Sequence, residues 1–223
     1  MAAFLNQYAP ILWKALTATL YMTFTTTFFA YVLGLPLGVW LYIGKKTGLR
    51  PAPLFNTLLG WVVNMLRSVP FIILIVLLIP FTSLIMGKSI GSTAAIVPLT
   101  VAAMPFAARL VENSLEELDV GLIEAAKAMG ATSWQIIYKV LLPESVPSLL
   151  RGLPISIIAI IGYVAMAGAV GGGGLGDIAI RYGFHRFQPQ VMLATLIILI
   201  ALVQLIQSIF NPLAVAIDKR SID

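Results

Sequence analysis

The chain has 223 residues, 60% hydrophobic and only 10% charged, with a formal net charge of +5, whereas soluble domains lie near about 45–50% and 25%. That composition belongs in a bilayer, where roughly 20 apolar residues cross ~30 Å of hydrocarbon, and four to six spans would leave no room for a separate soluble domain. The 14 Lys and Arg are scattered between long apolar runs, which argues against a basic nucleic-acid face; zero Cys excludes disulfides and thiolate chemistry, and one His with nine acids is poor material for a metal site.

The first residues, Met1 to Ile11, lack the basic start and small-residue cleavage site of a secretory signal, so the first apolar helix is expected to stay as an anchor. It runs from about Ala15 to Ile43 and is closed by Lys45, Lys46, Gly48, Arg50 and Pro51. Thr19, Thr23, Thr26 and Thr27 lie close together on it, either as glue between helices or as part of a pathway. The next apolar stretch, Leu54 to Met86, is too long for one straight span and divides at Arg67-Ser68-Val69-Pro70. Its first part places Leu54, Leu58, Trp61, Val62 and Met65 at helical spacing, which predicts an interfacial helix. The crossing itself is expected to begin near Pro70, because Pro is tolerated in the first helical turn. A third span is predicted over about Thr93–Val111.

Between Glu112 and Leu150 charges concentrate, yet an apolar pattern persists. Ser114 to Glu117 has the spacing of a capping box, and Asp119 suits the N-cap of a helix from Val120 to Met129. Leu122, Ala126 and Met129 share one face of that helix, and Glu124 and Lys127 another. Gly130 fits a left-handed C-cap, followed by a second helix from about Ser133 to Leu142 that Pro143 is expected to end. Two short helices at a turn present a compact surface. It either docks another protein or packs only on its own subunit.

A fourth span, about Leu149–Val170, is rich in small residues, Gly162, Ala165, Gly168 and Ala169 among them, which allow close approach of another helix. Tyr163 and Met166 are its bulkier groups and are candidates for a pore or gate, with plain packing as the alternative. A glycine-rich loop follows, and a fifth span covers about Val191–Ile217 with Gln204, Gln207, Ser208 and Asn211 on one face. Prolines 36, 80, 98, 105 and 154 are expected to kink or weaken spans. Ten Lys and Arg, Lys219 and Arg220 included, fall on one side of this five-span layout and four (Lys14, Lys88, Arg181, Arg186) on the other. The positive-inside rule then puts the amino terminus outside and the carboxyl terminus and the 112–150 loop in the cytoplasm.

Two motifs mislead. Gly171, Gly173 and Gly176 satisfy G-x-G-x-x-G, but they follow a membrane span and not a strand. Gly87-Lys88-Ser89 resembles the end of a P-loop, yet Thr82 stands where Gly is required, so the chain is read as having no ATP site of its own and as not an enzyme. Spans three, four and five carry almost no ionisable groups, which counts against a proton-coupled carrier. A passive channel or carrier would leave the cytoplasmic hairpin without a task. An intramembrane hydrolase would need a nucleophile and base at matched depth, for which one external His and no Cys are poor material.

Glu124-Ala125-Ala126, then Gly130, then Val140-Leu141-Leu142-Pro143 at fixed spacing resembles the EAA loop of ATP-binding-cassette importer permeases, with Val140 where Ile is usual. Arg67 to Phe71, Gly168 to Asp177 and Arg181 to Phe187 resemble the methionine-importer permeases within that family. The resemblance implies an all-α, polytopic fold of about five spans of the type I importer kind, with residues 1–223 as one transmembrane permease domain in a bacterial inner membrane. It implies that Glu124, Ala125, Ala126, Gly130, Leu141 and Pro143 couple the chain to a separate cytoplasmic ATPase, which alone binds ATP and Mg. It further implies a homodimer with two such ATPases, and an external substrate-binding protein or lipoprotein that Asp177, Arg181 and Arg186 would meet. The implied cargo is D- and L-methionine or related amino acids, with another small polar solute as the alternative.

Overall fold

The computed structural model describes the backbone of residues 2–217 and the side chains of residues 7–210, 212 and 213. The charges read at Lys219 and Arg220, and the Asn211 side chain, lie outside the described residues. Every regular element among those described is helical: α1 Ala2–Ile43, α2 Pro53–Ser68, α3 Phe71–Leu77, α4 Ile79–Met86, α5 Ser92–Glu116, α6 Val120–Ala128, α7 Ser133–Ile136, α8 Leu142–Gly168, α9 Gly174–Ile178 and α10 Pro189–Ile217. Single π-helical segments follow α7 (Ile137–Leu141) and α9 (Ala179–Phe184).

Among the described residues, four helices are long and apolar enough to cross a bilayer, Gln7–Ile43, Ser92–Glu116, Ser133–Gly168 and Pro189–Phe210, and a broken pair, α2 with α3, brings the number to as many as five. The predicted break at Arg67–Pro70 is present. The crossing expected from Pro70 to Met86 is instead two short helices, interrupted at Leu78. Pro80, which has no N–H to continue a ladder, sits in the first turn of the second.

The chain divides into two compact units. One comprises the chain up to Ala30 with Val69–Ala103 and Ser156–Gln207. Its core gathers Leu12 and Ala15 of α1, Leu175 and Ile178 of α9, and Val191 of α10. The glycine-rich stretch is packed into this unit: Gly172, Gly174 and Gly176 are buried, and a Cβ on Gly176 would collide with the Ala165 backbone. The Leu175 N–H donates to Thr19 Oγ1 at 2.9 Å, pinning the stretch to α1. All four threonines of the α1 stripe are buried, which favours glue over a solvated pathway. The glutamines at 204 and 207 are exposed and half-buried respectively.

The other unit comprises Tyr31–Ser68 and Met104–Ile155 with the chain from Ser208. Here α1 and α5 approach closely because Gly34 and Gly38 leave room: a Cβ on Gly34 would meet that of Ala107 at 2.9 Å, and one on Gly38 would meet that of Val111 at 2.6 Å. α2 buries Val63 and Leu59 against Leu41 of α1 and Ala108 of α5. Its predicted apolar face, Leu54 to Met65, points away from the chain, with Leu54 88% exposed.

Candidate functional site

The predicted hairpin forms, and its turns follow local capping chemistry. Asp119 accepts the Gly121 N–H at 2.7 Å and starts α6. Gly130 adopts φ +79, a left-handed conformation that strains any residue with a Cβ. Its N–H donates to the Lys127 carbonyl and that of Ala131 to the Ala126 carbonyl, the paired bonds of a Schellman cap.

Two details correct the sequence reading. Ser114 caps nothing, because α5 continues to Glu116 and the Ser148 hydroxyl donates to Ser114 Oγ at 3.1 Å. The capping box lies instead at Thr132 and Gln135. Pro143 does not end the second helix either. The Ile137–Leu141 segment shifts to π-type hydrogen bonding, which accommodates the missing N–H of Pro143 in the first turn of α8, and helix runs on to Gly168.

The hairpin is rooted in a core that it shares with the ends of two long helices. Ile123 and Ala126 of α6, Ile136 of α7, and Ile137 and Leu141 of the π segment bury against Val39 and Ile43 of α1 and Val111 and Leu115 of α5. Of the predicted coupling residues, Ala126 and Leu141 are therefore interior, whereas Glu124, Ala125, Gly130 and Pro143 are exposed. Leu122 is exposed, and Met129 is 82% exposed. The inward residue the pattern missed is Ile123.

Beside this core lies an ion network. Glu112 is only 5% exposed and carries Arg109 Nη1 at 2.5 Å and Lys45 Nζ at 3.2 Å; Lys45 also pairs with Glu116. Arg109 Nη2 donates to the Gly60 carbonyl at 3.2 Å and to Asn64 Oδ1 at 3.0 Å, so one guanidinium joins α5 to α2. Burial, the largest single influence on Lys45, lowers its pKa; its hydrogen bonds to Glu116 and Glu112 and their charges raise it and prevail, so the ammonium titrates above the ordinary lysine range.

In the other unit, Asp177, Arg181 and Arg186 come together. Arg181 pairs with Asp177 at 2.5 Å, and the guanidinium carbons of Arg181 and Arg186 lie 5.3 and 4.4 Å from the centre of the Tyr182 ring. Tyr182 meets Tyr8 edge to face, and Tyr8 donates to Gln188 Oε1 at 3.0 Å. An open cavity of about 470 Å³ beside the cluster is lined by Lys14, Ser92, Asp177 and Arg181. Of the two gate candidates, Tyr163 is half-buried and stacks on Phe71 at 5.0 Å, while Met166 is 50% exposed. Met166 shares an exposed face of α8 with Gly162. Among the described residues, no group of three or more His, Cys, Asp or Glu gathers as a metal site would require.

The family model of the binding-protein-dependent transport system inner membrane component matches residues 34–221. A probable D-methionine transport system permease protein MetI of Vibrio cholerae is 53% identical over 210 residues, covering 94% of this chain and 93% of that one. Its counterpart of the same name in Pasteurella multocida is 50% identical over 202 residues, 91% and 93% of the two chains. A solved structure of the MetNI methionine ABC transporter in an inward-facing conformation superposes with a TM-score of 0.92 at 47% identity, over 94% of this chain and 99% of that one.

Proposed function

The chain belongs to the family of binding-protein-dependent transport system inner membrane components, and on that premise we propose that it forms the path through which an ATP-driven importer carries methionine, in D and L form, by alternating access. The names of its relatives at 50 and 53% identity support D-methionine, and the name of the MetNI methionine transporter supports methionine more broadly. In this reading the whole chain acts as one permease domain. A separate cytoplasmic ATPase, holding ATP and Mg, docks on Glu124 to Gly130.

The observation that carries the reading is the shared core. Ile123, Ala126 and Leu141 of the hairpin are buried with Val39 and Val111 of the long helices. A push on exposed Glu124 and Ala125 is thereby transmitted to α1 and α5 without a slack joint, since close-packed cores resist gradual deformation. A partner shifts the equilibrium between outward and inward states only by binding them differently, and this hairpin is the surface on which it would do so.

Two copies would meet along the exposed α8 stripe around Gly162 and Met166, with Tyr163 beside the path, since five spans enclose little by themselves. Asp177, Arg181 and Arg186 would receive an external binding protein. The bias of Lys and Arg supports an amino terminus outside and a carboxyl terminus in the cytoplasm.

Uptake of labelled methionine by the reconstituted transporter, with unlabelled amino acids as competitors, tests the cargo. Competition by both methionine enantiomers, and by no polar solute in their place, is expected; preferential competition by a different solute overturns it.

A further inference from the structure

The loop after α1 is built tightly onto the helix end. The Arg50 N–H donates to the Ile43 carbonyl at 3.0 Å and the Ala52 N–H to the Gly44 carbonyl at 3.1 Å, which satisfies carbonyls at the helix terminus and sets Arg50 at a fixed place. The guanidinium carbon lies 5.5 Å from the centre of the Trp134 ring. Next to this pair opens a cavity of about 190 Å³ whose other walls include Leu35, Val39, Trp40 and Ile137. Among the described residues no acid lines it and Arg50 has no carboxylate partner. Lys46 in the same loop is exposed and adds positive charge.

An apolar depth under a fixed cation and two indoles calls for an amphiphile. A soluble anion would answer Arg50 and leave the apolar walls unfilled; a neutral lipid would fill the walls and leave Arg50 without a counter-charge. Indoles favour the depth of the headgroups, and basic pockets between membrane helices take anionic headgroups. We propose that this cleft binds an anionic glycerophospholipid, with part of one acyl chain between Leu35, Val39 and Ile137 and the phosphate on Arg50. Trp134 and Ile137 belong to the base of the coupling hairpin, so the lipid braces the same lever that an ATPase would move. The site stands on geometry alone; its assignment to the cytoplasmic leaflet rests on the proposed orientation.

Native mass spectrometry of the full chain, released from nanodiscs of dioleoyl phosphatidylglycerol or dioleoyl phosphatidylcholine, tests this without substrate or ATPase, so a failed uptake assay leaves it untouched. The wild type is expected to retain phosphatidylglycerol about tenfold better, as befits a charge-assisted contact. Arg50→Gln should fall to the phosphatidylcholine level, with Arg50→Lys between them. Leu35→Trp, which fills the cavity and spares Arg50, should lose retention as well, and inorganic phosphate should displace nothing. Retention by Arg50→Gln equal to wild type, retention unchanged in Leu35→Trp, or displacement by phosphate overturns the proposal. The two variants act through different parts of the site, so failure of either one to fold leaves the other decisive.

Discussion

Lys45 Nζ lies 3.2 Å from Glu112 Oε1, which ties the loop after α1 to the last turns of α5. Arg109 holds the same carboxylate from its other side. Glu112 thus compensates two cations while itself nearly excluded from solvent.

Removal of that acid is expected to cost more than removal of either cation. Glu112→Ala leaves Arg109 and Lys45 without it and should destabilise the chain by about 2–3 kcal/mol, below the range for a fully buried pair because Lys45 is partly solvated. Glu112→Gln, still able to accept from Arg109, should lose less. Thermal unfolding in detergent measures the order, and a Glu112→Ala midpoint equal to that of Lys45→Ala would contradict it.

The raised pKa of Lys45 gives this network an alkaline signature. A folded-state pKa above the unfolded value contributes stability that is complete below about 10.4 and disappears as pH climbs through the folded value. The wild type should therefore lose stability relative to Lys45→Met over that interval. Parallel alkaline melting curves would refute the assignment.

Gly130 is demanded by its φ and not by lack of space, since a Cβ there meets nothing within 4 Å. Gly130→Asn, which tolerates the left-handed region, should keep most coupled uptake. Gly130→Leu or Gly130→Val should strain the turn by about 1–2 kcal/mol and abolish uptake while the spans still insert. Equal uptake by Asn and Val variants would remove the turn from the mechanism.

Two glycines of one compact unit should behave in opposite ways. Gly176→Ala forces a Cβ into the Ala165 backbone and should destabilise by about 1–3 kcal/mol. Gly162 has open space around it, so Gly162→Leu should leave the melting midpoint of a monomer unchanged and reduce cross-linking between copies along α8. Undiminished cross-linking would move the dimer contact elsewhere.

What could be read ahead of the structure was local. Asp119 and Gly130 were legible because a cap is decided within a few residues of sequence, and the long apolar helices because composition alone separates them from loops. Ser114 misled because its partner, Ser148, lies in a different helix. Pro143 misled because a π segment absorbs its missing donor, a rearrangement that no residue pattern announces. Gly34 and Gly38 stand as G-x-x-x-G, a spacing the sequence reading passed over, and which helix it admits depends on the fold. The bonds of Arg109 to Gly60 and Asn64 span a separation that periodicity cannot reach.

The central claim is that the hairpin around Glu124 faces the cytoplasm and seats the ATPase. The chain contains no cysteine, so Ala125→Cys provides a single exposed thiol for a membrane-impermeant reagent. Labelling in inside-out vesicles, blocked when the ATPase subunits are bound, is the predicted result. Labelling in right-side-out vesicles, or labelling indifferent to the ATPase, would contradict it.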